Sequence, residues 1–113
     1  AILTNEMTKA WSGMTVKEYK ELKGLKKENL RDNMTDIELV LNMLAEVTTT
    51  TLSKKEQPET FAENRSVAKR GGKFAGDTRK RFEEEIGGKV ISPLNASDKT
   101  ALETKKDNDE NKG

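Results

Sequence analysis

Residues 35–47 read Thr-Asp-Ile-Glu-Leu-Val-Leu-Asn-Met-Leu-Ala-Glu-Val, and this run carries the clearest periodic pattern in the chain. Its apolar residues recur at i, i+3, i+4, i+7 and i+10, the spacing of one face of an α-helix. They are Ile37, Val40, Leu41, Leu44 and Val47. The pattern predicts a helix that turns this stripe towards the core. The β-branched residues Thr48–Thr51 favour helix only weakly, so the helix end stays open between residues 48 and 56.

The start of this helix carries a capping box, in which a Thr hydroxyl accepts from the third helical amide while a Glu accepts from the cap amide. The same Thr-x-x-Glu signature recurs at Thr15–Glu18 and at Thr60–Glu63. The first of these opens a short helix over about residues 15–23, which Gly24 ends. The other opens a helical region after Pro58, a residue that breaks the preceding helix.

The last helical region extends to about Ile86 and has a glycine pair in its middle. A predicted core stripe combines Phe61, Ala68, Ala75, Phe82 and Ile86, with Phe74 at its margin. Each glycine of Gly71-Gly72 costs a helix about 1 kcal/mol relative to alanine. One long helix and two helices over 60–70 and 73–86 therefore both stay open.

These elements predict an all-α protein, a small bundle of three to five helices. We expect an irregular N-terminal arm over residues 1–14, which Trp11 pins to a helical domain over residues 15–94. The final residues, 95–113, are rich in charge and poor in apolar side chains, so a disordered charged tail is expected there.

Composition excludes several classes of function. The chain has 113 residues, of which 32% are hydrophobic and 36% charged, and it contains neither cysteine nor histidine. Disulfides, thiolate chemistry, zinc sites of the Cys/His type and histidine general-base catalysis are therefore excluded. No apolar run approaches the length of a membrane span. We predict no enzyme, no cofactor, no metal site and no membrane contact.

The net charge is only +1, but the charges are unevenly distributed. Residues 69–81 hold six bases and one acid, a local charge of +5, next to glycines and one aromatic residue. Such a cluster can neutralise phosphates. The predicted nucleic-acid-binding residues are Lys69, Arg70, Lys73, Arg79, Lys80 and Arg81. Phe74 could stack on a base, although a core position is the commoner role for such a residue.

A second basic strip lies in residues 17–31, which hold six bases and three acids. Its candidate phosphate contacts are Lys23, Lys26, Lys27 and Arg31. The intervening residues 35–64 carry six acids and two lysines, a local charge of −4. In both basic runs the alternative is that the lysines and arginines only solvate a helix surface.

Two runs resemble a known family. Tyr19–Glu46, most specifically Lys23-Gly-Leu-Lys-Lys followed by Asn33-Met-Thr, is similar to the C-terminal region of DNA-damage-inducible protein D. Related regions occur in prophage antirepressors with an N-terminal BRO domain. The run Asn64–Gly88, followed by Val-Ile-Ser-Pro-Leu, fits the last helical stretch of the same family.

The resemblance implies a cytoplasmic bacterial or prophage protein of the DNA damage response or of phage repressor control, of which this chain is the C-terminal half. It implies no reaction. The predicted function is a non-enzymatic module that acts through a protein partner of the repair or phage-repressor machinery and through sequence-independent DNA contacts. The alternative is a purely structural oligomerisation domain, in which the stripe Ile37–Leu44 or Phe61–Ile86 pairs with a second copy.

Overall fold

The computed structural model describes residues 2–94 and confirms the all-α prediction. Its four α-helices are α1 (Ile2–Ser12), α2 (Val16–Leu22), α3 (Asp36–Glu56) and α4 (Phe61–Ile86), with a 3-10 turn at Arg31–Asn33. Helix α4 packs chiefly against α1 and α3, and no strand occurs within the described residues. The predicted disordered tail, 95–113, lies outside them.

The expectation of an irregular arm over residues 1–14 is wrong, because residues 2–12 form helix α1. Its buried side chains are Met7, Thr8, Trp11 and Ser12, a stripe of i, i+1, i+4 and i+5. Two members of the stripe are polar, so hydrophobic periodicity did not reveal it. The Ser12 hydroxyl donates to the Thr8 carbonyl oxygen at 2.6 Å, which satisfies its buried oxygen. Trp11 is fully buried and anchors α1, as expected.

The three predicted helix starts are confirmed at Thr15, Thr35 and Thr60. At the first, the Thr15 hydroxyl accepts from the Glu18 N–H at 3.2 Å and the Glu18 carboxylate accepts from the Thr15 N–H at 2.9 Å. At the last, the return bond is displaced by one residue, because the Glu63 carboxylate accepts from the N–H of Glu59. Gly24 follows α2 with a φ of 72°, a left-handed conformation that suits glycine.

Helix α4 is continuous, so Gly71 and Gly72 lie in a helix interior. A Cβ atom added to Gly71 would lie 2.8 Å from the Thr49 nitrogen of α3, and one added to Gly72 would lie 2.7 Å from the Ala10 Cβ of α1. One turn later, a Cβ at Gly76 would lie 2.8 Å from the Ala10 carbonyl oxygen. The glycines therefore let two helices approach the α4 backbone from different sides.

Helix α4 buries only two of the five residues of its predicted core stripe, Ala68 and Ala75. Its buried residues are Val67, Ala68, Gly71, Gly72, Ala75 and Gly76, whereas Phe61, Phe74, Phe82 and Ile86 are exposed. The close helix crossings explain the difference, since large side chains have no room on that face. The aromatic core instead forms between Trp11 and Tyr19, whose ring centroids lie 6.0 Å apart.

The stripe predicted for α3 needs a similar correction. Leu41 is buried as expected, but Val40 and Val47 are exposed, and Glu38 and Asn42 take places in the core. Both polar residues have buried partners: the Asn42 Oδ1 atom accepts from the Trp11 indole at 3.3 Å. The inner face of α3 is thus set by buried hydrogen bonds as well as by hydrophobicity.

Candidate nucleic-acid interface

An open groove of about 460 Å³ runs between α1 and α4 and is lined mainly by cations. The lining residues are Glu6, Lys9, Ala10, Arg65, Lys69 and Lys73. Four bases and one acid give this groove a local charge of +3. The chain as a whole is nearly neutral, so this surface departs clearly from the average.

Helical spacing and the glycines together assemble the groove. Arg65, Lys69 and Lys73 follow one another at intervals of four residues, which places them in one row along α4. Lys9 comes from α1, next to Ala10, the residue whose side chain and carbonyl oxygen meet the glycines of α4. The close crossing of the two helices therefore brings Lys9 to the row on α4.

Glu6 organises one end of the groove without neutralising it. An Nη atom of Arg65 lies 2.9 Å from the Glu6 carboxylate, and the Lys69 Nζ atom lies 3.8 Å from it. The side chains of Arg65 and Lys69 nevertheless stay about half exposed. Lys9 and Lys73 form no ion pair within residues 2–94, so at least two cations keep all their donors for an external anion.

Two of the six predicted nucleic-acid contacts, Lys69 and Lys73, thus lie in the groove. Arg70 lies about 100° further round the helix and pairs with Glu56 of α3 at 2.7 Å. The hydrogen bond from Arg70 lowers the pKa of Glu56, and the Glu56 carboxylate raises the pKa of Arg70. Lys80 is exposed without an ion pair in the described chain, and Arg81 lies 3.6 Å from Glu85.

Arg79 was predicted to contact phosphate, but its role in the structure is internal. Its Nε atom donates to the Trp11 carbonyl oxygen at 2.8 Å, and its Nη1 atom donates to both carboxylate oxygens of Glu83 at 3.0 Å. Burial opposes ionisation of Glu83, but the Val90 N–H and the Arg79 guanidinium outweigh it and lower the pKa of Glu83. Arg79 therefore joins α1 to α4, and its partner Glu83 holds the segment that follows α4 through the Val90 N–H.

One of the four phosphate contacts predicted in the second basic strip is also buried in the core. Lys23 is buried, and its Nζ atom lies 2.6 Å from the Glu38 carboxylate. Arg31 is exposed but pairs with Glu46 at 2.7 Å. Lys26 and Lys27 are exposed and form no ion pair among the described residues. The strip is reduced to two adjacent lysines.

Glu38 is the centre of a buried polar cluster. Its carboxylate accepts from the Tyr19 hydroxyl, from Lys23 and from the Thr35 N–H at 3.0 Å. Burial and the hydrogen bond to Glu38 raise the pKa of Tyr19 far above its usual value. Lys23 also donates to the Ser92 carbonyl oxygen at 3.0 Å and to that of Leu94. The cluster thereby fastens the segment after α4 to α2 and α3.

Sequence reasoning missed Lys9 and Arg65. The four-residue spacing of Arg65 with Lys69 and Lys73 is visible in the sequence and could have revealed Arg65. Lys9 had no such signal, because its place depends on how α1 crosses α4. Phe74, which sequence statistics assign to the core, is exposed on the side of α4 that carries Arg70.

No group of three or more carboxylates within residues 2–94 is placed to hold a metal ion. None of the helices described there combines the length and the apolar character required to cross a membrane.

Comparison of the chain with protein-family models, with curated proteins and with solved structures found no significant match. The resemblance to the C-terminal region of DNA-damage-inducible protein D and of BRO-type antirepressors therefore stays a prediction.

Proposed function

We propose that this chain is a non-enzymatic helical module that binds nucleic acid through sequence-independent phosphate contacts in the groove between α1 and α4. One observation carries the proposal: Lys9, Arg65, Lys69 and Lys73 converge from two helices on one groove that contains a single carboxylate. A groove of this charge attracts a phosphate backbone and releases counterions when it is occupied.

The type of cation favours binding to the backbone over reading of bases. Three of the four bases are lysines, which act as mobile point charges on long stems and do not impose a fixed hydrogen-bond geometry. Contacts to phosphate position a protein but carry no sequence information. We therefore infer a similar affinity for unrelated sequences of equal length.

The resemblance to DNA-damage-inducible protein D and to prophage antirepressors supports a biological setting. In this proposal the module acts in the cytoplasm, in the DNA damage response or in phage repressor control. A protein partner from the repair or phage-repressor machinery belongs to the same proposal. The biological setting and the protein partner are proposed from the resemblance, whereas nucleic-acid binding is proposed from the groove.

The test is fluorescence anisotropy of labelled duplex and single-stranded DNA with the 113-residue chain, over about 50–300 mM salt. Four phosphate contacts predict a slope of about −3 to −4 for log K against log salt on duplex DNA. Lys69→Glu/Lys73→Glu should weaken binding at least about tenfold at 50 mM salt and flatten the slope by about 2.

The matched control is Lys26→Glu/Lys27→Glu, which changes the net charge equally on the second basic strip. It should retain most of the affinity. Loss of binding in this control with retention in the groove variant would assign the contacts to the strip, and the groove proposal would be wrong. Neither pair is buried, so both variants should keep the helical circular dichroism of the parent.

The second candidate function is an oligomerisation domain that makes no nucleic-acid contact. It is favoured by the exposed apolar side chains of α3, namely Val40, Met43 and Val47. Absence of DNA binding at about 50 mM salt, where phosphate contacts are strong, would select this function over the first.

A further inference from the structure

The outer face of α3 carries a second surface, separate from the cationic groove. Val40, Met43 and Val47 expose 58%, 44% and 60% of their surface, although hydrophobic side chains of this size usually pack. Their spacing of three and four residues is the a/d spacing of a coiled-coil seam. These three side chains thus form an exposed apolar row on the outer face of α3.

The row continues in both directions with the same spacing. Its full set is Asp36, Val40, Met43, Val47, Thr50 and Lys54, with intervals of four, three, four, three and four residues. All six residues are exposed. The row therefore reads from an acid at the N-terminal end of α3, through apolar residues, to a base at its C-terminal end.

This order makes the row complementary to itself in one direction only. If two copies align antiparallel, Asp36 faces Lys54 of the second copy, and Met43 faces Val47. A parallel alignment would instead place Asp36 against Asp36 and Lys54 against Lys54, which is unfavourable. The antiparallel arrangement also sets the positive end of one helix dipole beside the negative end of the other.

We propose that the outer face of α3 is a homodimer interface, in which a second copy of this chain docks antiparallel with the register Asp36–Lys54, Val40–Thr50 and Met43–Val47. Helix α3 has 21 residues and is about 32 Å long, which spans all six positions. Three apolar side chains a copy make a small interface, so the dimer is weak and depends on concentration. The inference does not rest on nucleic-acid binding.

The experiment is sedimentation equilibrium of the full chain at low salt, without DNA, over about 10 μM to 1 mM, the range of a weak interface. The parent should pass from monomer to dimer with rising concentration. Asp36→Lys and Lys54→Asp should each stay monomeric, because each puts like charges at both ends of the row. An equimolar mixture of the two variants should dimerise again, since it restores both opposite-charge pairs.

The swap Asp36→Lys/Lys54→Asp should also restore the dimer, whereas Met43→Glu should abolish it. Met43 is exposed in the monomer, so this variant keeps the fold and tests the interface apart from the helix ends. Glu84→Lys, an exposed charge reversal on α4, is the control and should dimerise like the parent. A parent that stays monomeric at 1 mM, or a mixture that stays monomeric, would overturn the proposal.

Discussion

Lys23 and Lys73 come from the two basic runs of the chain, and their surroundings are opposite. Lys23 is buried against Glu38 and the carbonyl oxygens of the segment after α4. Lys73 stands exposed in the groove between α1 and α4, without an ion pair in the described chain. A lysine side chain therefore stabilises the fold at position 23 and is a candidate ligand contact at position 73. Burial decides between the two roles.

The largest expected effect on stability comes from removing Lys23, the buried cation that pairs with Glu38. Lys23→Met leaves the Glu38 carboxylate buried without a cation, so we expect the free energy of unfolding to fall by about 3 kcal/mol. This is the lower end of the usual range, because Tyr19 and Thr35 still donate to Glu38. Urea unfolding followed by far-UV circular dichroism measures it.

Lys73→Met is the matched control and should change stability by less than about 0.5 kcal/mol, as exposed substitutions usually do. Equal losses in the two variants would show that the contrast between the buried and the exposed lysine has no energetic meaning.

An intermediate effect is expected where α1 crosses α4. Gly72→Ala gains up to about 1 kcal/mol of helix propensity, but the new Cβ would overlap Ala10, and overpacking costs about 1–3 kcal/mol. We expect a net loss of about 1 kcal/mol, together with weaker DNA binding as Lys9 moves away from α4. Thermal unfolding and anisotropy report the two effects.

Gly88→Ala serves as the control for this crossing, because no atom lies within 4 Å of a Cβ built at Gly88. It should leave both stability and affinity unchanged. If Gly72→Ala instead stabilised the protein, α1 would be able to move away from α4 at no cost. The close crossing of α1 and α4 would then not be what fixes the groove.

A loss of stability of similar size, which depends on pH, is expected at Glu83. The pKa of Glu83 is lowered in the folded chain, so its ionised form stabilises the fold above the ordinary carboxylate pKa of about 4.3. That stability is lost as the pH falls from there through the lowered pKa. Glu83→Gln should therefore reduce stability by about 1 kcal/mol at pH 7 and unfold with a shallower pH dependence below about pH 4.

Glu84→Gln, an exposed neighbour, is the comparison for Glu83 and should keep the acid profile of the parent. If Glu83→Gln lost stability with falling pH in the same way as the parent, the hydrogen bonds from Arg79 and Val90 to Glu83 would contribute nothing to acid stability.

Local rules were enough to predict much of the fold. The three Thr-x-x-Glu signatures located three helix starts, and Gly24 marked the end of α2, because capping depends on residues within one turn. Helix α1 escaped prediction, since Thr8 and Ser12 interrupt its apolar pattern, although the Ser12 hydroxyl finds a partner within the helix, the Thr8 carbonyl oxygen. The candidate site was predicted in part, through Lys69 and Lys73.

The helical class and the helix starts were predictable from the residues alone, because both follow from interactions between near neighbours in the chain, and the dense basic runs are visible in the sequence. The packing of the helices, in contrast, determines that Arg79 and Lys23 bind internal groups and that Lys9 joins Lys69 and Lys73 in one groove. It also determines that Gly71 and Gly72 lie inside a helix. These outcomes depend on which helices meet and how closely, and hence on contacts between residues far apart in the chain.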